Sequence, residues 1–314
     1  MTKASNTGQS AMRLFFSRQY LSSGHEFDTT RKAGWIVDSL ADRLIPGVEL
    51  VEPIPLSADE CAVVHDPVYI QAVQTGEPTF LAQSQGFSWD PGLFPAVCAS
   101  NGGMVAAALE AMKHGVSGSL SSGLHHAGKD RGRGYCTLNG LVIAARKAVE
   151  AGAKSVLILD LDAHCGGGTA SLIEGLPGVR QVDISVSHFD GYEGMTNSVL
   201  EMVDMADEYF PVIKRHLDEV MSAPPDLVIY NAGMDPFENC STGGLAGINF
   251  EILREREQLV FSTFRKEGIP IAFALAGGYV GWKLSQERLV NLHRLTIEAA
   301  ASFAARPCRK AGQS

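Results

Sequence analysis

One stretch constrains this chain more than any other: Val156-Leu157-Ile158-Leu159-Asp160-Leu161-Asp162-Ala163-His164-Cys165-Gly166-Gly167-Gly168-Thr169. Its four leading apolar residues read as a strand of a parallel sheet, buried on both faces. Ligand-type side chains then recur at alternate positions: Asp160, Asp162 and His164. Extended backbone sends alternate side chains to one face, so the three are expected to point the same way. Ionisable groups gathered at the end of a buried strand repel, or go unsatisfied, unless a cation joins them. Carboxylate with imidazole suits zinc or a similar divalent ion. The plainer alternative is a capped strand whose Asp and His bond a loop.

The rest of the chain supplies the setting. Its 314 residues, 45% hydrophobic and 19% charged, can bury a large core, and no linker divides them. A net charge of -9 argues against general nucleic-acid or anionic-membrane binding. The six cysteines are scattered and form no C-x-x-C pair, so reduced thiols are expected. The polar first residues lack the apolar core of a signal peptide, and no apolar run is read as a membrane span. A cytoplasmic protein is expected, with residues 1–11 and 306–314 as flexible tails around one domain, 12–305.

Within that domain the patterning predicts strands over 13–17, 48–54, 181–187, 226–233 and 269–275. Helices are expected over 30–44, 96–114, 139–151, 249–266 and 289–305. Residues 200–221 read as largely helical, with Pro211 interrupting or beginning a segment. Ser57 and Glu60 resemble a capping box, and Pro67 suits a helix's first turn. Residues 75–95 read as a long surface loop lining an entrance. Alternating strands and helices imply an α/β fold, a central, mostly parallel sheet with helices on both faces. Ligands of such sheets sit outside the carboxyl ends of the strands. His125-His126, Asp162 with His164, Asp235 and Tyr279 all fall at such ends.

Those residues specify a reaction. Asp162, His164 and Asp235 form a three-ligand metal site with an open position. A metal so held lowers the pKa of water and polarises a carbonyl. His125 and His126 supply general base and acid, and the Tyr279 hydroxyl donates to a developing oxyanion. Together they point to metal-assisted hydrolysis of an amide. The remaining histidines, His25, His65, His114, His188, His216 and His293, lack such partners and read as structural.

The segments Gly123-Leu124-His125-His126-Ala127, Arg133-Gly134-Tyr135-Cys136, Asp160-Leu161-Asp162-Ala163-His164, Asn231-Ala232-Gly233-Met234-Asp235 and Gly277-Gly278-Tyr279 resemble the histone deacetylase family, in order and in spacing. His25-Glu26-Phe27-Asp28, Asp130-Arg131-Gly132 and Gly243-Gly244-Leu245 are most similar to its class IV branch and bacterial relatives. The resemblance implies an arginase-like single-domain fold and a zinc-dependent deacylase, with ferrous iron as an alternative metal. Its substrate would be an acyl-lysine peptide or protein, or another acylated amine such as an acetylpolyamine, with acetyl or longer fatty acyl groups. Asp162, His164 and Asp235 would hold the metal. His126 would be the base beside His125, Tyr279 would bind the acyl oxygen, and Gly134 and Tyr135 would line the channel. Asp160 would orient His125, and backbone near Asp160, Asp162 and His164, with Ser185, would hold potassium.

The chain departs from the family's pattern in three places. After the histidine of the strand end the family commonly has His or Gln, Gly, then Asn or Asp. Here Cys165, Gly166 and Gly167 follow, so the side chain that orients the second histidine is missing or comes from elsewhere. Cys240-Ser241 stands where many relatives carry a second acidic residue. Residues 75–95 match no common pattern for a substrate-gripping carboxylate, Asp90 being the candidate there. A binuclear arginase-type site would need further Asp residues at Gly166 and Phe237. A non-catalytic metal-binding scaffold is the reading from a different class.

Overall fold

The computed structural model describes residues 11–304. The two expected tails lie outside that range, apart from Ala11. Eight described strands, β1 (Met12–Phe15), β2 (Val48–Val51), β3 (Val116–Ser119), β4 (Val156–Asp160), β5 (Val179–Ser185), β6 (Ser198–Met202), β7 (Leu227–Asn231) and β8 (Ile271–Ala274), form one sheet in the order β2-β1-β3-β8-β7-β4-β5-β6. Every pairing in it is parallel, from β1–β2 at one edge to β5–β6 at the other. Its helices are α1 (Asp28–Asp42), α2 (Ala58–Cys61), α3 (Pro67–Thr75), α4 (Thr79–Ala82), α5 (Leu93–His114), α6 (Gly140–Glu150), α7 (Gly167–Ile173), α8 (Ala206–Met221), α9 (Phe250–Lys266) and α10 (Gln286–Ala304).

Strand β4 shows why helices cover both faces. Leu157 and Leu159 enter one apolar cluster with residues of α8, α9 and α10, whereas Val156 and Ile158 enter the other with residues of α5 and α6. A period of two, apolar in both phases, requires cover on both sides. The expected capping box forms, Ser57 and Glu60 bonding reciprocally, and Pro67 sits in the first turn of α3, which Asp66 caps; Gly115 closes α5 at a φ of 93°. Helix α5, 22 residues long, is apolar enough by length and composition to cross a membrane, contrary to the sequence reading. Most of it is buried against β1, β3, β8 and α6, as suits a core helix.

Two further expectations need correction. Residues 200–202, expected to be helical, belong instead to β6, an edge strand paired only with β5. Its half-exposed side chains blur the apolar alternation that marks an inner strand. Pro211 neither interrupts nor begins α8, which runs through it. Lying in the second turn, it forfeits one intrahelical bond, and the buried face of Tyr209, Ile213, Leu217 and Val220 offsets that loss. The 75–95 region is less irregular than expected, holding α4 and the start of α5.

His65 is structural, and its neighbourhood explains how. Its Nδ1–H donates to the Gly128 carbonyl at 2.8 Å, and its Nε2 accepts the Asn139 amide at 2.8 Å. Asn139 caps α6 and donates through Nδ2 to the carbonyls of His125 and Ala127. Burial holds the His65 pKa down at about 4, against 6.5 unperturbed. A depressed histidine stabilises fully above its unfolded pKa, and that contribution drains away as pH falls from 6.5 toward about 4. Denaturant titrations should therefore show His65→Ala less stable by ~2 kcal/mol at pH 7, with a shallower loss between pH 7 and 4 than the parent. Identical pH slopes would refute the assignment.

Candidate active site and metal centre

The site lies outside the carboxyl ends of β3, β4, β5, β7 and β8, where an open parallel sheet places its ligands. Strand β4 ends at Asp160 and the chain then turns, so the three alternate side chains do not make one row. Asp162 and His164 meet Asp235, which follows β7, while Asp160 stays behind under His125.

Backbone amides fix the two carboxylates of this cluster. Gly277 N–H donates to Asp162 Oδ2 at 2.7 Å, and Ala163 N–H donates to Asp235 Oδ1 at 3.0 Å. Residue 277 has to be glycine, because a Cβ there would collide with both Asp235 Oδ2 and Asp162 Oδ2. The oxygens left over, Asp162 Oδ1 and Asp235 Oδ2, each lie 3.1 Å from His164 Nδ1. Asp235 Oδ2 is buried without a hydrogen-bond donor. Atoms that share a tetrahedral ion at ~2.0–2.1 Å sit ~3.3 Å from one another, so the spacing matches one ion. Burial and the Asp162 charge raise the Asp235 pKa to about 6, a repulsion that a divalent cation removes. The donor set fits one such ion. No second set accompanies it among the described residues, Gly166 and Phe237 supplying no ligand.

The two histidines stand beside this cluster, ring centroids 4.0 Å apart. His125 Nδ1–H donates to Asp160 Oδ2 at 2.8 Å. Asp160 Oδ1 accepts from Asn231 Nδ2 and from the Asp162 amide. Burial depresses His125, but the charges of Asp160 and Asp162 and the Asp160 hydrogen bond outweigh it, taking the pKa to about 10. His126 Nδ1–H donates to Asp190 Oδ2 at 3.0 Å. Burial, then the neighbouring His125 charge, lowers His126 to about 4, so it is neutral at pH 7. Both imidazoles thus hold a proton on Nδ1, and His125 Nε2 lies 3.6 Å from Asp162 Oδ1. Burial and the charges of Asp162 and Asp235 push the Tyr279 phenol well above its usual range, so it stays a donor.

Aromatic rings form the approach. Tyr135 lies 4.3 Å from Phe27 and 5.1 Å from Phe87, and Phe189 stands edge-on to His126 at 4.9 Å. Gly134, at a φ of 53°, lies between them, and a Cβ there would come within 2.6 Å of His126 and 2.9 Å of Phe189. Asp90 accepts the amides of Gly24 and Gly92, bracing a loop. Trp89 is anchored on Val73 O, so Phe87 rather than Trp89 reaches Tyr135. Ser185 donates to Asp183, a fully buried carboxylate whose pKa burial and the Asp160 charge raise to about 8. The sequence reading did not name Asp183, Phe189 or Asp190. Phe189 had a signal, an aromatic just past a strand end; the other two had none.

The family model for the histone deacetylase domain matches residues 25–294, most of the chain. The chain belongs to the histone deacetylase family. A relative of this histone deacetylase-family chain is an uncharacterized protein of Picosynechococcus, 33% identical and covering 83% of this chain and 88% of its own length. Histone deacetylase 2 of Arabidopsis thaliana is 26% identical over 82% of this chain and 70% of that protein. Among solved structures, the HD domain of HDA15 superposes with a TM-score of 0.77 at 21% identity, covering 94% of this chain and 90% of that one. The last likeness shows the shared α/β fold, the arginase and deacetylase type. Family membership supports a hydrolase acting on acetylated amides.

The metal assignment has a direct check. Protein purified with added zinc should carry about one ion per chain, and Asp162→Ala and Asp235→Ala should each lose it in elemental analysis. Full metal content in both variants would contradict the ligand set.

Proposed function

We propose that this chain is a zinc-dependent deacylase that removes acetyl or longer acyl groups from lysine side chains or related acylated amines. The observation that carries the reading is the convergence of Asp162 Oδ1, His164 Nδ1 and Asp235 Oδ2 beside two carboxylate-tied histidines and a protonated phenol. Ferrous iron suits the same donors.

A divalent ion held by Asp162, His164 and Asp235 would lower the pKa of water and polarise the acyl carbonyl. The chain's own groups do the rest. Gly134, Tyr135 and Phe189 would flank a slender methylene arm, keeping water from it. His126, neutral with a free Nε2, would take the proton of the attacking water. Tyr279 would donate its hydroxyl to the oxygen that gains charge. The histidine pair would then return a proton to the leaving amine nitrogen. Asp183, Ser185 and backbone around Asp160, Asp162 and His164 would hold a potassium ion, which suits the raised Asp183.

The scaffold reading rested on the missing partner at Gly167. Asp190 supplies an acceptor to His126 instead, which removes that support. Five buried, unpaired cysteines among the described residues suit the cytoplasmic location we propose.

Acetyl-, octanoyl- and myristoyl-lysine peptides, assayed against acetylpolyamines with zinc-loaded protein, test the reading and rank the substrates. At least one class should turn over. Tyr279→Phe should retain the metal and lose about 10²–10³-fold in kcat on the best substrate. Absence of hydrolysis across the series would sink the deacylase reading, and an unchanged rate in Tyr279→Phe would remove the phenol from it.

A further inference from the structure

The loop after β5 carries Asp190. Asp190 Oδ2 accepts from His126 Nδ1 at 3.0 Å and from the Gly168 amide at 3.3 Å. Its other oxygen, Oδ1, lies 2.8 Å from Arg133 Nη1. The Arg133 guanidinium also stands 5.2 Å over the Phe189 ring, so one cation braces both neighbours in the loop. The Cys165 amide donates to the Phe189 carbonyl at 3.0 Å, tying this loop to the turn after β4. Asp190 itself holds a left-handed φ of 63°, uncommon for a residue with a Cβ, and its carboxylate is tied to His126, Gly168 and Arg133.

Gly167 explains the exchange. A Cβ at 167 would collide with the Asp190 carbonyl oxygen and come within 2.9 Å of Asp190 Cγ. A side chain at 167 and Asp190 in its present place are mutually exclusive. The glycine that looks like a lost orienting group is therefore the vacancy another carboxylate fills from a different loop.

We infer that Asp190, anchored by Arg133, is the positioning residue for His126, replacing the side chain absent at Gly167. It fixes the ring plane and keeps the proton on Nδ1, leaving Nε2 free toward the site. Arg133 shares the Asp190 charge, so the carboxylate works as an acceptor, a duty an amide oxygen can also perform. The inference rests on the deacylase reading for its kinetic consequence, though not for its structural one.

The test uses the full chain loaded with zinc. Asp190→Ala should lower kcat about 10–100-fold and leave KM within about threefold. Asp190→Asn, which keeps an acceptor, should recover to within about fivefold of the parent. Nitrogen-15 NMR of the imidazoles should show His126 protonated at Nδ1 in the parent and in Asp190→Asn, and a tautomer mixture in Asp190→Ala. Should Asp190→Ala not fold, Asp190→Leu removes the acceptor while keeping bulk and takes its place. Parental kcat without the acceptor, an Asn variant no better than Ala, or an unchanged His126 tautomer would each overturn the inference. A parent that hydrolyses no substrate would sink the deacylase reading alone, and the NMR comparison would still decide the role of Asp190.

Discussion

Everything in this site depends on two backbone amides that each occupy one oxygen of a buried carboxylate. Gly277 N–H takes Asp162 Oδ2, and Ala163 N–H takes Asp235 Oδ1. The remaining oxygens are thereby forced together, against their own repulsion, around His164 Nδ1. Burial and the Asp162 charge push Asp235 up to about 6, while, against its own burial, the neighbouring His125 and His164 hold Asp162 well below the usual carboxylate range. A shared cation resolves the conflict, and the same cation makes the pocket chemically useful. Burial of apolar residues on both faces of β4 is what holds the amides still enough to impose this arrangement.

Around that centre the sheet acts as a collector. Five strands deliver their carboxyl ends to one place, and the segments that follow them carry the site residues. Glycine recurs in these turns for want of space. At Gly277 a side chain would strike the carboxylates, and at Gly134 it would strike His126 and Phe189. The two histidines are adjacent in sequence yet electrostatically unlike. His125 faces the carboxylates Asp160 and Asp162, whereas His126 faces an Arg-paired Asp190 and an aromatic edge. One sequence dipeptide thus yields two imidazoles pushed in opposite directions, His125 up and His126 down.

How much of this was legible follows from how local each signal is. Strand β4 and the ligands Asp162 and His164 are written in nearby residues, as is the capping box at Ser57, but the common face expected for Asp160 is lost because the strand ends there. Asp235 could be placed at a strand end because β7 opens on the apolar run Leu227-Val228-Ile229. Strand β6 escaped because an edge strand buries only part of itself, which leaves no clean period. Asp190 escaped for a different reason. Its partner His126 is 64 residues away, and nothing in Phe189-Asp190-Gly191 announces the reach. The departure at Gly167 was visible in the sequence; what compensates for it required the fold.

Anomalous diffraction at the zinc edge, on crystals grown with zinc, tests the centre of this account most directly. The account predicts one strong peak per chain, bounded by Asp162 Oδ1, His164 Nδ1 and Asp235 Oδ2. A peak elsewhere, a second metal of equal strength beside it, or no peak at that place would contradict it.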